Sequence, residues 1–252
     1  RQEKKLPLRK IYDSLVAAMK STIPVAMACA CAGIVIGIVS MTGIGVKFTS
    51  IVFKLSGGNL FAMLVLIMLA CIVMGMGLPS TAAYIIAATV GVPSLLQAGI
   101  DPLAANMFVF YFAIMSFITP PVALAAYAAS GISNASATKT GVQAFILGLT
   151  GFIIPFVYVY NPSMLMVNST PGQVVYITAV TTFAIFLMSI VVSGWFKGRV
   201  PILLRLFILT SVVFMFLQTG RMLDYIGIAM GAASLVLLFM LNKKRGVASR
   251  TL

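Results

Sequence analysis

The sequence predicts an all-α integral membrane protein, and three observations carry that reading. Of its 252 residues, 61% are apolar and only 8% charged, with a mean hydropathy of +1.12. A soluble domain carries about 25% charged residues to cover its surface. Apolar stretches near or above ~18 residues recur along the chain, each long enough to cross a hydrocarbon core. The basic residues gather in short clusters between these stretches, the arrangement that orients membrane helices.

That clustering also disposes of the obvious reading of a net charge of +13. A basic chain often binds nucleic acid, but these charges form no continuous face, and no nucleic-acid partner is expected. Cys29, Cys31 and Cys71 all fall in apolar stretches and are read as packing residues. With no His in the chain and no Cys-x-x-Cys spacing, they make no metal site.

The elements follow in order. Residues 1–21, with Arg1, Lys4, Lys5, Arg9, Lys10 and Lys20, read as a basic cytoplasmic connector or amphipathic helix. No signal peptide precedes the first span, which predicts the C-terminal part of a longer polypeptide. Thr22 to Val46 is a first span, with Pro24 near its start. Residues 47–58 form a short amphipathic connector ending at Gly57-Gly58. The stretch 59–92 is apolar but interrupted at Gly75-Met-Gly-Leu-Pro-Ser-Thr81, and 93–106 is a polar turn. The span 107–130 is interrupted at Thr119-Pro-Pro121. Further spans cover 141–160, 174–196, 202–220 and 223–241, the last two joined by a turn that holds Arg221 and Asp224. About six transmembrane helices, a re-entrant hairpin and a discontinuous helix are expected.

Charge sets the orientation. With the N-terminus in the cytoplasm, only Lys47, Lys54 and Arg221 of the 17 Lys and Arg fall outside. Both termini are then cytoplasmic. The loops at 93–106 and 161–173 hold no Lys or Arg and face outward. The aromatic run Phe156, Tyr158 and Tyr160 and the pair Trp195-Phe196 read as interfacial anchors.

The two interruptions carry the functional reading. Non-helical backbone at membrane depth is tolerated only where protein buries it or a polar cavity receives it. Pro120 and Pro121 donate no backbone hydrogen bond and so leave nearby carbonyls free. Those carbonyls and the hydroxyls of Ser80, Thr81, Ser116 and Thr119 are hard oxygen ligands suited to sodium. Paired Gly/Pro-interrupted segments point to a transporter site, and the helix after Pro79 aims its positive end there, favouring an anionic group. Residues 59–92 read as a re-entrant hairpin tipped at Pro79, although two full crossings satisfy the charges equally. A lone proline kink is often only a kink; two breaks close in sequence, both with hydroxyls, favour a site. No Asp, Glu or His is expected inside an apolar segment, which favours sodium over proton coupling and leaves an enzyme without a base.

Gly75-Met-Gly-Leu-Pro-Ser-Thr-Ala-Ala-Tyr84, Phe108-Val-Phe-Tyr-Phe112 and Ile118-Thr-Pro-Pro-Val-Ala-Leu-Ala-Ala-Tyr-Ala-Ala129 together resemble the fused membrane permease of tripartite ATP-independent periplasmic (TRAP) transporters, nearest the TAXI-type branch. The resemblance covers residues 10 to 165. It implies two inverted repeats, each with a re-entrant hairpin and a broken helix, of which residues 22–165 are the second. Residues 166–252 are then extra C-terminal helices and a basic tail.

By the same resemblance, Gly75, Gly77, Pro79, Ser80 and Thr81 form the hairpin tip, and Ser116, Thr119, Pro120, Pro121 and Val122 the helix break. Ser80, Thr81 and Thr119 are the candidate sodium ligands. An elevator movement would be driven by sodium, with no cofactor. A periplasmic substrate-binding protein would deliver a carboxylate. The first repeat and a small membrane subunit region would complete the permease in a bacterial or archaeal inner membrane. Asn106 departs from the pattern, where a His is expected. Two other functions remain open: a divalent-anion symporter that needs no binding protein, and a structural membrane subunit.

Overall fold

The computed structural model describes residues 7–196, 198, 200–217 and 221–248. Helices are the only regular elements among the described residues, as an apolar solvent demands, since a helix satisfies its backbone within one segment. Helix α1 (Leu8–Thr42) is continuous from the basic N-terminal region into the first apolar stretch and passes through Pro24. The proline therefore lies inside the helix rather than in its first turn, and it frees the carbonyl of Lys20. Arg1, Lys4 and Lys5 lie outside the described residues, as do Lys197, Arg199 and Arg250.

Gly43, in the left-handed region at φ 66°, separates α1 from α2 (Ile44–Ser56). The apolar parts of the two helices diverge by 73°. Next come α3 (Leu60–Gly75) and α4 (Ser80–Gln97). Asn59 begins α3 by accepting the Ala62 amide at 3.2 Å. The second helix extends past residue 92 and through Pro93. Burial of Val90, Val92, Ser94 and Leu95 on its inner face accompanies the helix across the missing hydrogen bond, so the expected turn shrinks to residues 98–101. There Asp101 accepts the amides of Leu103 and Ala104 and Pro102 opens α5 (Pro102–Met115).

A 3-10 turn, Ser116–Ile118, ends α5, and α6 (Leu124–Ser133) begins after the prolines. Helices α7 (Ala137–Gly148) and α8 (Ile154–Tyr160) are joined by a 3-10 stretch, Leu149–Ile153. Helices α9 (Pro171–Ser193), α10 (Ile202–Leu217) and α11 (Arg221–Ala248) complete the chain. Among the described residues, three segments are long and apolar enough to cross a membrane: Ser80–Gln97, Ala137–Tyr160 and Pro171–Ser193. A fourth is reached if the bent α1–α2 pair counts as one. The apolar parts of the remaining helices are shorter, at 10–17 residues.

Two cores hold the bundle. Lipid is as apolar as leucine, so close packing rather than water exclusion drives helix association here. In the first core α4 offers small residues: Ala82, Ala83 and Ala87 are fully buried. A Cβ on Gly91 would sit 3.0 Å from Val109 of α5 and 3.3 Å from Ile67 of α3. Around them an aromatic group joins α3, α5 and α8. Phe108 meets Phe112 at 4.9 Å and Phe156 at 5.5 Å between ring centroids, and Phe61 meets Phe156 at 5.6 Å. The two edge-on pairs, Phe108 with Phe112 and with Phe156, contribute ~0.5–1.5 kcal/mol each. Phe156 is partly buried and packs against this core, whereas Trp195 is 60% exposed.

The second core is α9, α10 and α11. Gly227 and Gly231 bring α11 against α10 and α9: a Cβ on Gly227 would meet Met215 Cγ at 2.6 Å, and one on Gly231 would meet Leu187 Cδ1 at 2.6 Å. The Ser211 hydroxyl donates to the Gly227 carbonyl at 2.7 Å. Asp224, which the sequence places in a turn, lies in the first turn of α11 and is buried. Cys71 is buried in the first core, while Cys31 is exposed.

Overpacking a tight helix contact costs ~1–3 kcal/mol. Gly91→Leu should lower the thermal midpoint of the complete permease, followed by fluorescence-detected size exclusion. Gly172→Ala, where nothing lies within 4 Å, should leave it unchanged. Equal midpoints for both variants would mean that α3, α4 and α5 do not pack as described.

Candidate functional site

The first break is short. Gly75 ends α3, Met76 and Leu78 turn the chain, and Pro79 caps α4 with no side-chain hydrogen bond. Gly77 takes φ +77°, a left-handed conformation that costs a glycine nothing. The first amides of α4 have no helical acceptor, since the Ala83 amide is the first to bond back, to Pro79 at 2.9 Å. Ser80 and Thr81 are exposed at this end, and their hydroxyls make no hydrogen bond to any described residue.

The second break is more elaborate. The Pro120–Pro121 bond is cis. The two prolines remove both N–H groups that could bond the Phe117 carbonyl in 3-10 or α geometry. Ala123 follows at φ +27°, a conformation costly to a residue with a Cβ. Its amide still donates to Thr119 at 3.2 Å. The Tyr127 hydroxyl turns back and donates to the Pro121 carbonyl at 2.5 Å.

Helix α7 receives this irregular backbone on glycines. A Cβ on Gly141 would meet Tyr127 at 3.2 Å and Ala123 at 3.5 Å. One on Gly148 would overlap the end of Ile118. Their seven-residue spacing puts both on one face, which is how the sequence could have shown them.

The two breaks meet. A Cβ on Gly75 would sit 2.7 Å from the Ala113 carbonyl and 2.8 Å from the Ser116 hydroxyl, so only glycine lets α3 approach α5 there. A Cβ on Gly77 would lie 3.8 Å from Val122. The predicted residues Gly75, Gly77, Ser116 and Val122 are thus brought together. Pro79, Ser80 and Thr81 begin α4 after this turn, and no hydrogen bond joins them to the second break.

The hydroxyls differ in what they offer. Ser116 donates to the Ala113 carbonyl at 2.6 Å and Thr119 to the Met115 carbonyl at 2.8 Å. A hydroxyl has one proton and two lone pairs, so both oxygens keep only lone pairs for anything else. Ser116 is 2% exposed and walled by Gly75; Thr119 is 8% exposed. Ser80 and Thr81 keep both proton and lone pairs. Along α4, the Tyr84 hydroxyl donates to Asn106 Oδ1 at 2.8 Å, and Asn106 Nδ2 donates to the Pro102 carbonyl at 2.8 Å. Asn106 therefore ties α4 to the start of α5. Neither this bridge nor the Tyr127 latch was readable from spacing alone.

Residues 2–173 match the family described as "Tripartite ATP-independent periplasmic transporter, DctM component", which covers more than half of the chain. No curated protein and no solved structure matches. Two helix breaks held in contact, within an apolar helical chain whose matched region contains both, belong to a membrane permease, and the chain is a member of the TRAP transporter family, of its DctM component.

Proposed function

We propose that the chain is the second half of a sodium-coupled permease, of the TAXI-type branch, that takes up organic anions delivered by a periplasmic binding protein. The contact between the two breaks, Gly75 on Ser116 and Gly77 on Val122, carries this reading. On it, α3 and α4 are a re-entrant hairpin and α5–α6 a discontinuous helix. Thr119 and the carbonyl of Phe117 supply hard oxygen ligands to sodium. The free amides and exposed hydroxyls of Ser80 and Thr81 face the first repeat, where a carboxylate would sit against the positive end of α4.

The sodium ion would offset the charge of the carboxylate, so the two bind together better than either alone. A first repeat, elsewhere in the polypeptide, and a small membrane subunit region would close the other side. The hairpin and broken helix then move as one body, which the Gly75–Ser116 contact favours. Orientation follows the basic residues, with both termini cytoplasmic in an inner membrane.

The test uses proteoliposomes holding the complete permease with its binding protein, supplied with radiolabelled dicarboxylates and an inward sodium gradient. A hydrogen bond or ligand to a charged group contributes ~1.5–3 kcal/mol, so Thr119→Ala should reduce sodium-driven uptake by about tenfold or more. Uptake indifferent both to sodium and to Thr119 would sink the proposal. In the same assay Tyr127→Phe removes the bond that fixes the backbone of the second break and so loosens the ligands at Phe117 and Thr119. With a net hydrogen bond near ~1 kcal/mol, the sodium concentration for half-maximal uptake should rise about fivefold. An unchanged sodium response would detach Tyr127 from the site.

A further inference from the structure

At the opposite end of α4 a pocket of about 410 Å³ opens between α1, α2 and α4, and its lining includes Gly43, Gly45, Ser50, Thr89, Pro93 and Gln97. Thirteen residues separate Ser80 from Pro93, which at ~1.5 Å per residue is about 20 Å of helix. The pocket is therefore distinct from the two breaks.

Apart from the Gln97 carboxamide, which both donates and accepts, the α4 wall offers acceptors. Pro93 stands inside α4, four residues after Thr89, and has no N–H to give. The Thr89 carbonyl consequently lacks its α-helical donor. It lies 3.4 Å from the point that a Cβ on Gly45 would occupy, facing α2. The Thr89 hydroxyl donates to Ile86 at 2.7 Å and the Ser50 hydroxyl to Val46 at 3.0 Å. Each has spent its single proton and keeps lone pairs alone. The pocket lies by the last turns of α4, where the helix dipole is negative. No carboxylate lines it, so nothing would repay the dehydration of a divalent ion.

The facing wall is of the opposite kind. Gly43 begins α2 with no side-chain cap, and its left-handed turn points the first turn of that helix toward the pocket. Lys47, exposed, follows in the first turn. Such a rim disfavours a bare cation and suits one that brings its own anion. Beside the pocket, Ile38 and Val46 are more than half exposed and Met41 is 90% exposed, an apolar surface for acyl chains.

We infer that this pocket binds a phospholipid whose headgroup carries a primary ammonium beside its phosphate. The ammonium sits among the Thr89 carbonyl and the hydroxyls of Thr89 and Ser50; the phosphate lies at the start of α2. Pro93 matters because it frees the carbonyl, not because it bends the helix.

Native mass spectrometry of the complete permease tests this, comparing ethanolamine- with glycerol-headgroup phospholipids of identical chains. Wild type should retain the ethanolamine lipid preferentially. Pro93→Ala restores the donor to Thr89 while favouring the helix, so a folding defect is not the concern. It should weaken that preference about tenfold or slightly more, the worth of one hydrogen bond to a charged group at its lower range. Ser50→Ala should weaken it less. Equal retention in wild type and Pro93→Ala, or no headgroup preference in wild type, overturns the inference. Displacement of the lipid by sodium or potassium chloride at matched ionic strength, but not by choline chloride, would also overturn it, by making the pocket a bare-cation site.

Discussion

Backbone polar groups that leave a helix inside an apolar medium must be satisfied by something else, and this chain meets that demand twice within one small region. Gly75 is where the two solutions are joined. Because it has no side chain, α3 comes close enough for its end to pack on the Ser116 hydroxyl and the Ala113 carbonyl. The second break then rests on α7 through Gly141 and Gly148, and Tyr127 closes the Pro121 carbonyl. Any side chain at Gly75 would separate the breaks, and with them the arrangement that gives the region a use.

A second regularity concerns the hydroxyls. Across the bundle Ser and Thr side chains donate to the carbonyl three or four residues back, as at Ser50, Thr89, Ser116 and Thr119. This is the cheapest way to bury a hydroxyl in an apolar helix. It also fixes the chemistry left over, because an oxygen that has donated its proton can only accept. Where a proline frees a carbonyl nearby, acceptors accumulate. That combination occurs at Thr119 beside Pro120 and Pro121, and again at Thr89 beside Pro93. Close approach of helices on small residues, at Gly91, Gly227 and Gly231, sets the separation of the helices around them.

Much of the fold was legible before any coordinates. The apolar stretches became helices, both interruptions fell where Gly75–Pro79 and Ser116–Pro121 placed them, and the loop glycines and prolines marked most ends. The errors share a cause. Pro24, expected in the first turn of a span, and Pro93, expected in a turn, both lie inside helices, as propensity yields to surrounding packing. Phe156 stands beside Tyr158 and Tyr160 in sequence, yet its ring packs on Phe61, Phe108 and Phe112 of other helices. Asp224 looked like a turn residue because Arg221 stands nearby, and only the packing of α9, α10 and α11 buries it.

Composition and periodicity alone determined that the chain is helical and lives in lipid, since 8% charged residues cannot cover a water-facing surface. The residue types at the breaks also determined which backbone groups would be orphaned, because a proline lacks its N–H wherever it is placed. Which groups compensate was decided by tertiary structure. Gly75 against Ser116, Tyr127 on Pro121 and the Thr89 carbonyl facing Gly45 join residues that local sequence rules do not connect. Contacts between helices depend on their rotation and separation, and those are set by the small residues of every neighbouring helix at once.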